Sequence, residues 1–172
     1  MIGINMQSNP IKVLILHLVA VLFTIFNLTT INIFNGSNII PLFDVMIIFY
    51  FTIYKEGVFG LWFLFLLGIW SDALSGFPLG ITSLSYISSV KFFNLINSKM
   101  EIKENFQQLF KQFAAFAFAV LFLKWIFLSI YSSNFYNIIS PIIQLITSLI
   151  FYVIMHRFFD YLNQKLLDNK SA

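Results

Sequence analysis

The chain has 172 residues, 59% of them hydrophobic and only 10% charged, with a formal net charge of +3. Water-soluble domains carry about 25% charged residues, so this composition excludes one and points to an integral membrane protein. The basic residues are scattered over short connections, which excludes a nucleic-acid binder, and the absence of cysteine excludes disulfides, thiol catalysis and Cys-ligated metal.

Six apolar spans predict an all-α, polytopic single domain over residues 1–172, each span approaching the roughly 17–25 residues that cross about 30 Å of hydrocarbon. The first covers 11–33 and stops at the polar run Asn35-Gly36-Ser37-Asn38. Its apolar core is too long, and lacks an Ala-x-Ala site, for a cleavable signal peptide. The second, 39–54, is short. Lys55-Glu56-Gly57 forms a tight hairpin into the third, 58–74, and Ser75-Gly76-Phe77-Pro78 turns the chain into the fourth, 79–96. The fifth covers 113–131 and the sixth 138–161. Between spans four and five, Ser98-x-x-Glu101 fits a capping box. Phe106, Leu109, Phe110 and Phe113 follow at helical spacing, predicting an amphipathic interfacial helix over 99–112. No connection is long enough to fold as a soluble catalytic domain.

Charge sets the expected orientation. Lys12, Lys55, Lys91, Lys99, Lys103, Lys111, Arg157, Lys165 and Lys170 all fall on one side of a six-span arrangement. That side is expected to be cytoplasmic, with both termini on it. Lys124 alone departs from the pattern.

Few motifs carry chemistry. Ser88-x-x-Lys91 has the spacing of serine acyl-enzymes without their companion motifs. There is no phosphate loop, zinc-protease helix or nucleophile elbow. His17 and His156 are the only imidazoles, too few for a metal site. His17 is expected to bond a neighbouring helix, and His156 with Arg157 to mark the cytoplasmic rim of span six. Thr82, Ser85, Ser88 and Ser89 on span four, and Ala115 and Ala119 on span five, read as close-packing stripes. Neither a catalytic group, a metal nor a cofactor is expected.

Three ionisable residues fall toward the outer side: Asp44 in span two, Asp72 in span three and Lys124 in span five. A charge at membrane depth costs roughly 2.5–3.5 kcal/mol on insertion scales, so such groups are expected to pair or to serve a ligand. A snorkelling lysine and a purely architectural ion pair are the plainer readings.

The ordered set Pro41-Leu42-Phe43-Asp44, Tyr50, Gly57 and Gly68-x-x-x-Asp72-x-x-x-Gly76-x-x-Leu79-Gly80 resembles the bacterial rod shape-determining MreD family. The match in motif terms covers about residues 41–93, and one position departs from it: Ile40 stands where many relatives have Arg. The resemblance implies a fold similar to the S-components of energy-coupling-factor transporters. It also implies a non-catalytic inner-membrane scaffold in cell elongation and peptidoglycan synthesis. Its implied partners are the transmembrane helix of a bitopic MreC-like protein, received in a groove between spans, with MreB, RodA and a transpeptidase nearby. The competing expectation is an S-component-like subunit of a vitamin or small-solute transporter. In that case Asp44, Asp72 and Lys124, with Trp70 and Tyr86, line a pocket for a zwitterionic or cationic ligand.

Overall fold

The computed structural model describes residues 10–27, 32–34, 37–38, 40–54, 58–97, 106–133 and 137–166. Six helices form the body: α1 Pro10–Phe26, α2 Phe43–Tyr54, α3 Leu61–Ser75, α4 Ile81–Asn97, α5 Phe106–Ser132 and α6 Ile139–Leu166. A two-stranded antiparallel hairpin, β1 Asn32–Phe34 and β2 Ser37–Asn38, lies between α1 and α2, with β2 against α6. Gly57, Lys55, Lys99, Lys103, Lys170 and the Ser98–Glu101 capping box lie outside the described residues.

Helix α2 is the centre. Its sequence, FDVMIIFYFTIY, is apolar on every side, and such a helix belongs in an interior. Every residue from Asp44 to Phe51 is buried, and α1, α4, α5 and α6 all pack on it. Phe49 meets the rings of Phe93, Phe113, Phe116 and Tyr152 at centroid distances of 5.3–5.9 Å. Phe113 and Tyr152 stack at 3.9 Å and tie α5 to α6. At 1.5 Å per residue, the 12 residues of α2 rise only about 18 Å. The short second span is therefore enclosed by protein, and a tight turn in which Phe43 N–H donates to the Pro41 carbonyl at 2.9 Å precedes it.

The exterior also carries many large apolar side chains. Leu18 and Leu22 on α1, Trp62 and Leu66 on α3, Phe92 and Leu95 on α4, Ile130 on α5 and Ile154 on α6 are all exposed. An apolar surface this continuous suits lipid rather than water. Helices α5 and α6, each with a 27-residue stretch of high hydropathy, are long and apolar enough to cross a membrane; α1, α2 and α3 are shorter apolar helices.

Two element boundaries differ from expectation. The first apolar span does not continue as helix to Ile33: α1 ends at Phe26, and Asn32–Phe34 is strand. Asn27, the residue after α1, bonds the α2 N-terminus through its side chain. Residues 106–112 do not form a separate interfacial helix but the first turns of α5. Their apolar positions continue the stripe below, with Leu109 and Phe113 buried on one face. Residues 99–105 of the expected interfacial helix lie outside the described residues.

Candidate functional site

The Gly–Asp–Gly–Leu-Gly signature builds the α3–α4 hairpin. Gly68 is where the two helices touch: a Cβ placed there would lie 2.4 Å from both Cα and N of Ser83. The Ser83 hydroxyl donates to the Phe65 carbonyl at 2.7 Å and closes the same contact. One turn on, Asp72 is fully buried and ties both helix ends. Its carbonyl accepts the N–H groups of Gly76 and of Phe77, the latter at 3.0 Å, which terminates α3. Its carboxylate accepts from Gly80 N–H at 2.9 Å and Thr82 N–H at 3.0 Å. Those are orphan donors of the first turn of α4, and a carboxylate there also complements the helix dipole. Gly80 offers no side-chain cap, so the carboxylate of the preceding helix supplies one.

Both turn glycines have backbone reasons. Gly76 sits at φ 69°, the left-handed C-cap conformation, and Gly80 at φ 101°, where a Cβ is strained. Leu79 between them is exposed.

Asp44 is handled separately. Its carboxylate accepts from the Asn27 amide, from Val45 N–H at 2.8 Å and from the Tyr86 hydroxyl. Asn27 in turn accepts from Phe43 N–H at 3.3 Å, so one residue after α1 fixes the start of α2. Nearby, Pro41 is buried, and Leu42 N–H donates to the Ser148 hydroxyl at 2.9 Å, joining α2 to α6.

Asp44 and Lys124 line one cavity of about 430 Å³ at the end of the bundle that carries the α3–α4 turn. Thr82, Tyr86 and Gln144 also line it. Asp72 lies behind its wall, bonded to backbone. Lys124 interacts electrostatically with both carboxylates, more strongly with Asp44, but among the described residues it forms a direct ion pair with neither. Its ammonium sits 4.9 Å from the centroid of the Phe77 ring, a cation–π contact joining α5 to the hairpin. Trp70 faces outward and is exposed.

The remaining candidates disperse. Ser88 and Lys91 are both exposed on α4. Among the described residues His17 makes no hydrogen bond to a neighbouring helix. Its Nδ1 pairs with the Val13 carbonyl of its own helix at 2.7 Å, and the ring meets Phe63 edge-on at 4.0 Å. His156 is buried, with Nε2 3.5 Å from Asp160, while Arg157 beside it is exposed. Tyr50 donates to Asp160 at 2.6 Å, a contact between α2 and α6 that sequence spacing does not reveal. Of the α4 stripe, Thr82, Ser85 and Ser89 are buried and Ser88 is not; Ser83, outside that stripe, makes the closest approach. On α5 the fully buried small residue is Ala117, whereas Ala115 and Ala119 line an open groove of about 290 Å³ against Ser89, Phe92 and Phe93 of α4. Phe116, buried with Phe113 and Val120 on the core side of α5, also borders this groove.

The family model described as rod shape-determining protein MreD matches residues 8–165. The Rickettsia prowazekii (strain Madrid E) protein "Uncharacterized protein RP566" is similar, 26% identical over 160 residues that cover 91% of this chain and 90% of that protein. No solved structure matches. The motif of the α3–α4 hairpin thus sits inside a match that also takes in α1, α5 and α6, where the sequence offered only hydropathy: the chain belongs to the MreD family of rod shape-determining proteins.

Proposed function

We propose that this protein is a non-catalytic scaffold of the cell-elongation complex, a six-span protein that receives the transmembrane helix of a bitopic MreC-like partner. Family membership already gives a bacterial inner-membrane protein with a role in rod shape determination, in a family not known to be enzymatic. The observation that carries the scaffold reading is the hairpin. Asp72 is wholly engaged with the backbone of the α3–α4 turn, and Gly68, Gly76 and Gly80 each serve helix contact or turn geometry. The signature is therefore built to hold α4 in one pose.

That pose sets one wall of the α4–α5 groove. Ala115, Ala119 and Ser89 keep its floor low, and Phe92 flanks it, so a partner helix can approach the backbone closely. Proximity to MreB, RodA and a peptidoglycan transpeptidase follows from the family resemblance. In this reading both termini are cytoplasmic and the α3–α4 turn is periplasmic, with the fold arranged like an S-component. Depletion in a rod-shaped host, combined with affinity purification of the tagged chain, tests it. Rounded cells and a co-purified bitopic partner are expected; normal rods and no such partner overturn it.

A further inference from the structure

We infer that the helix received by the α4–α5 groove carries a carboxylate, placed where that helix passes Lys111. The inference rests on the scaffold reading and specifies the partner's chemistry at the same groove. The lining changes character along its length. Toward the middle of α5 it is small and apolar, with Ala115 and Ala119 facing Phe92 and Phe93 of α4. At the end remote from the α3–α4 turn, α5 contributes Gln108, Lys111 and Gln112, and α4 contributes Ile96. In the proposed orientation that end is cytoplasmic. Gln108 and Gln112 are half-buried one turn apart, and Lys111 beside them is exposed. Among the described residues none of the three has a hydrogen bond or an ion pair. The α4 wall opposite them is apolar and accepts from none of them.

Polar side chains on a membrane helix find their partners across the interface with the next helix. Here the groove offers one ammonium and two amides, and its only formal charge is positive. A carboxylate accepts from Lys111 and from a neighbouring glutamine at once, in charge-assisted bonds about twice as strong as neutral ones. A basic side chain at that point meets like charge, which opposes docking. A lipid phosphate would answer Lys111 alone. The low floor of Ala115 and Ala119, in line with Lys111, fits the backbone of a helix laid along α5. At 1.5 Å per residue Lys111 stands about 6 Å, and Gln108 about 10 Å, beyond Ala115 along the axis. The carboxylate therefore lies within about two turns of the partner's contact with Ala115.

The test uses the full-length chain in growing rods, with a photoreactive residue in place of Phe92 and the captured peptide sequenced by mass spectrometry. That peptide is expected to carry Asp or Glu within about two turns of the cross-linked residue. Lys111→Glu is expected to lower capture about tenfold and Lys111→Arg to keep it. Changing the peptide's carboxylate to lysine is expected to restore capture by Lys111→Glu. The control is Lys91→Glu, an equal change of charge at an exposed position on α4 outside the groove, which is expected to leave capture unchanged. Lys111 is exposed and unpaired among the described residues, so the purified Lys111→Glu chain is expected to melt within about 1 °C of the parent. A captured peptide without a carboxylate there, or capture that Lys111→Glu leaves unchanged, overturns the inference while the scaffold reading stands. Equal losses from Lys111→Glu and Lys91→Glu trace the effect to surface charge at the membrane and overturn it too. Failure to capture any bitopic partner overturns both.

Discussion

Replacing Gly68 by alanine is the sharpest perturbation of the α3–α4 hairpin. The added Cβ would stand 2.4 Å from the Cα and N of Ser83, against about 3.5–4.0 Å for an ordinary contact between carbon atoms. The clashing atoms are backbone, so no rotamer change relieves them and α4 must move by more than about 1 Å. Overpacking of this kind costs roughly 1–3 kcal/mol. The same displacement stretches the Asp72 bonds to Gly80 and Thr82, 2.9 and 3.0 Å long, and a hydrogen bond to a charged group is worth about 1.5–3 kcal/mol. The sum is about 3 kcal/mol or more, which for a chain of this size lowers the melting temperature by roughly 6–12 °C. Thermal unfolding of the detergent-purified protein, followed by size-exclusion fluorescence, measures it. Ser83→Ala in the same chain removes only the hydroxyl at 2.5 Å and is expected not to rescue Gly68→Ala. A variant that melts within about 1 °C of the parent, or full rescue by Ser83→Ala, refutes the close-contact reasoning.

Other consequences are open to the same assay. Gly80→Ala forces a side chain into φ 101° and is expected to cost about 1–2 kcal/mol, whereas Gly76→Asn, at φ 69°, is expected to cost less because Asn tolerates that region. Asp72→Asn weakens the cap of α4 and is expected to cost about 1.5–3 kcal/mol. In double-mutant cycles with Lys124→Met, Asp44→Asn is expected to show the larger coupling. Asp72→Asn is expected to add to within about 0.5 kcal/mol, since its oxygens face backbone donors; strong coupling at Asp72 would reinstate a direct pair. Topology reporters fused after Phe77 and after Lys99 are expected to report periplasm and cytoplasm respectively; reversal of either removes the orientation and the periplasmic placement of the cavity.

The parts of this molecule that were legible in the sequence are those dictated by local chemistry. Apolar runs and their polar interruptions located the six helices, and Gly76 with Pro78 located the α3–α4 turn. The ordered glycines and Asp72 were visible as a signature, but their division of labour was not. That Gly68 is a helix contact while Gly76 and Gly80 are conformational follows only from how α3 and α4 pack. Asn27 was hidden for a related reason: hydropathy carries straight through residues 11–33, and only the tertiary bond to Asp44 explains an asparagine where α1 stops. The pairing of Asp44 with Tyr86, and of Asp160 with Tyr50, joins residues 42 and 110 positions apart. No periodicity links such distant positions. Ala115 and Ala119 carried a true small-residue spacing, yet the spacing alone could not say whether the stripe met the core or an open groove.

Site-specific photo-cross-linking from the α4–α5 groove tests the scaffold account most directly. A photoreactive residue in place of Phe92 is expected to capture a bitopic membrane partner in growing rods, and one in place of the exposed Ile154 on α6 is not. Adding Ala115→Trp, which fills the groove from an exposed position, is expected to abolish capture without lowering the amount of protein in the membrane. Equal capture from both probes, or capture that survives the filled groove, contradicts the account.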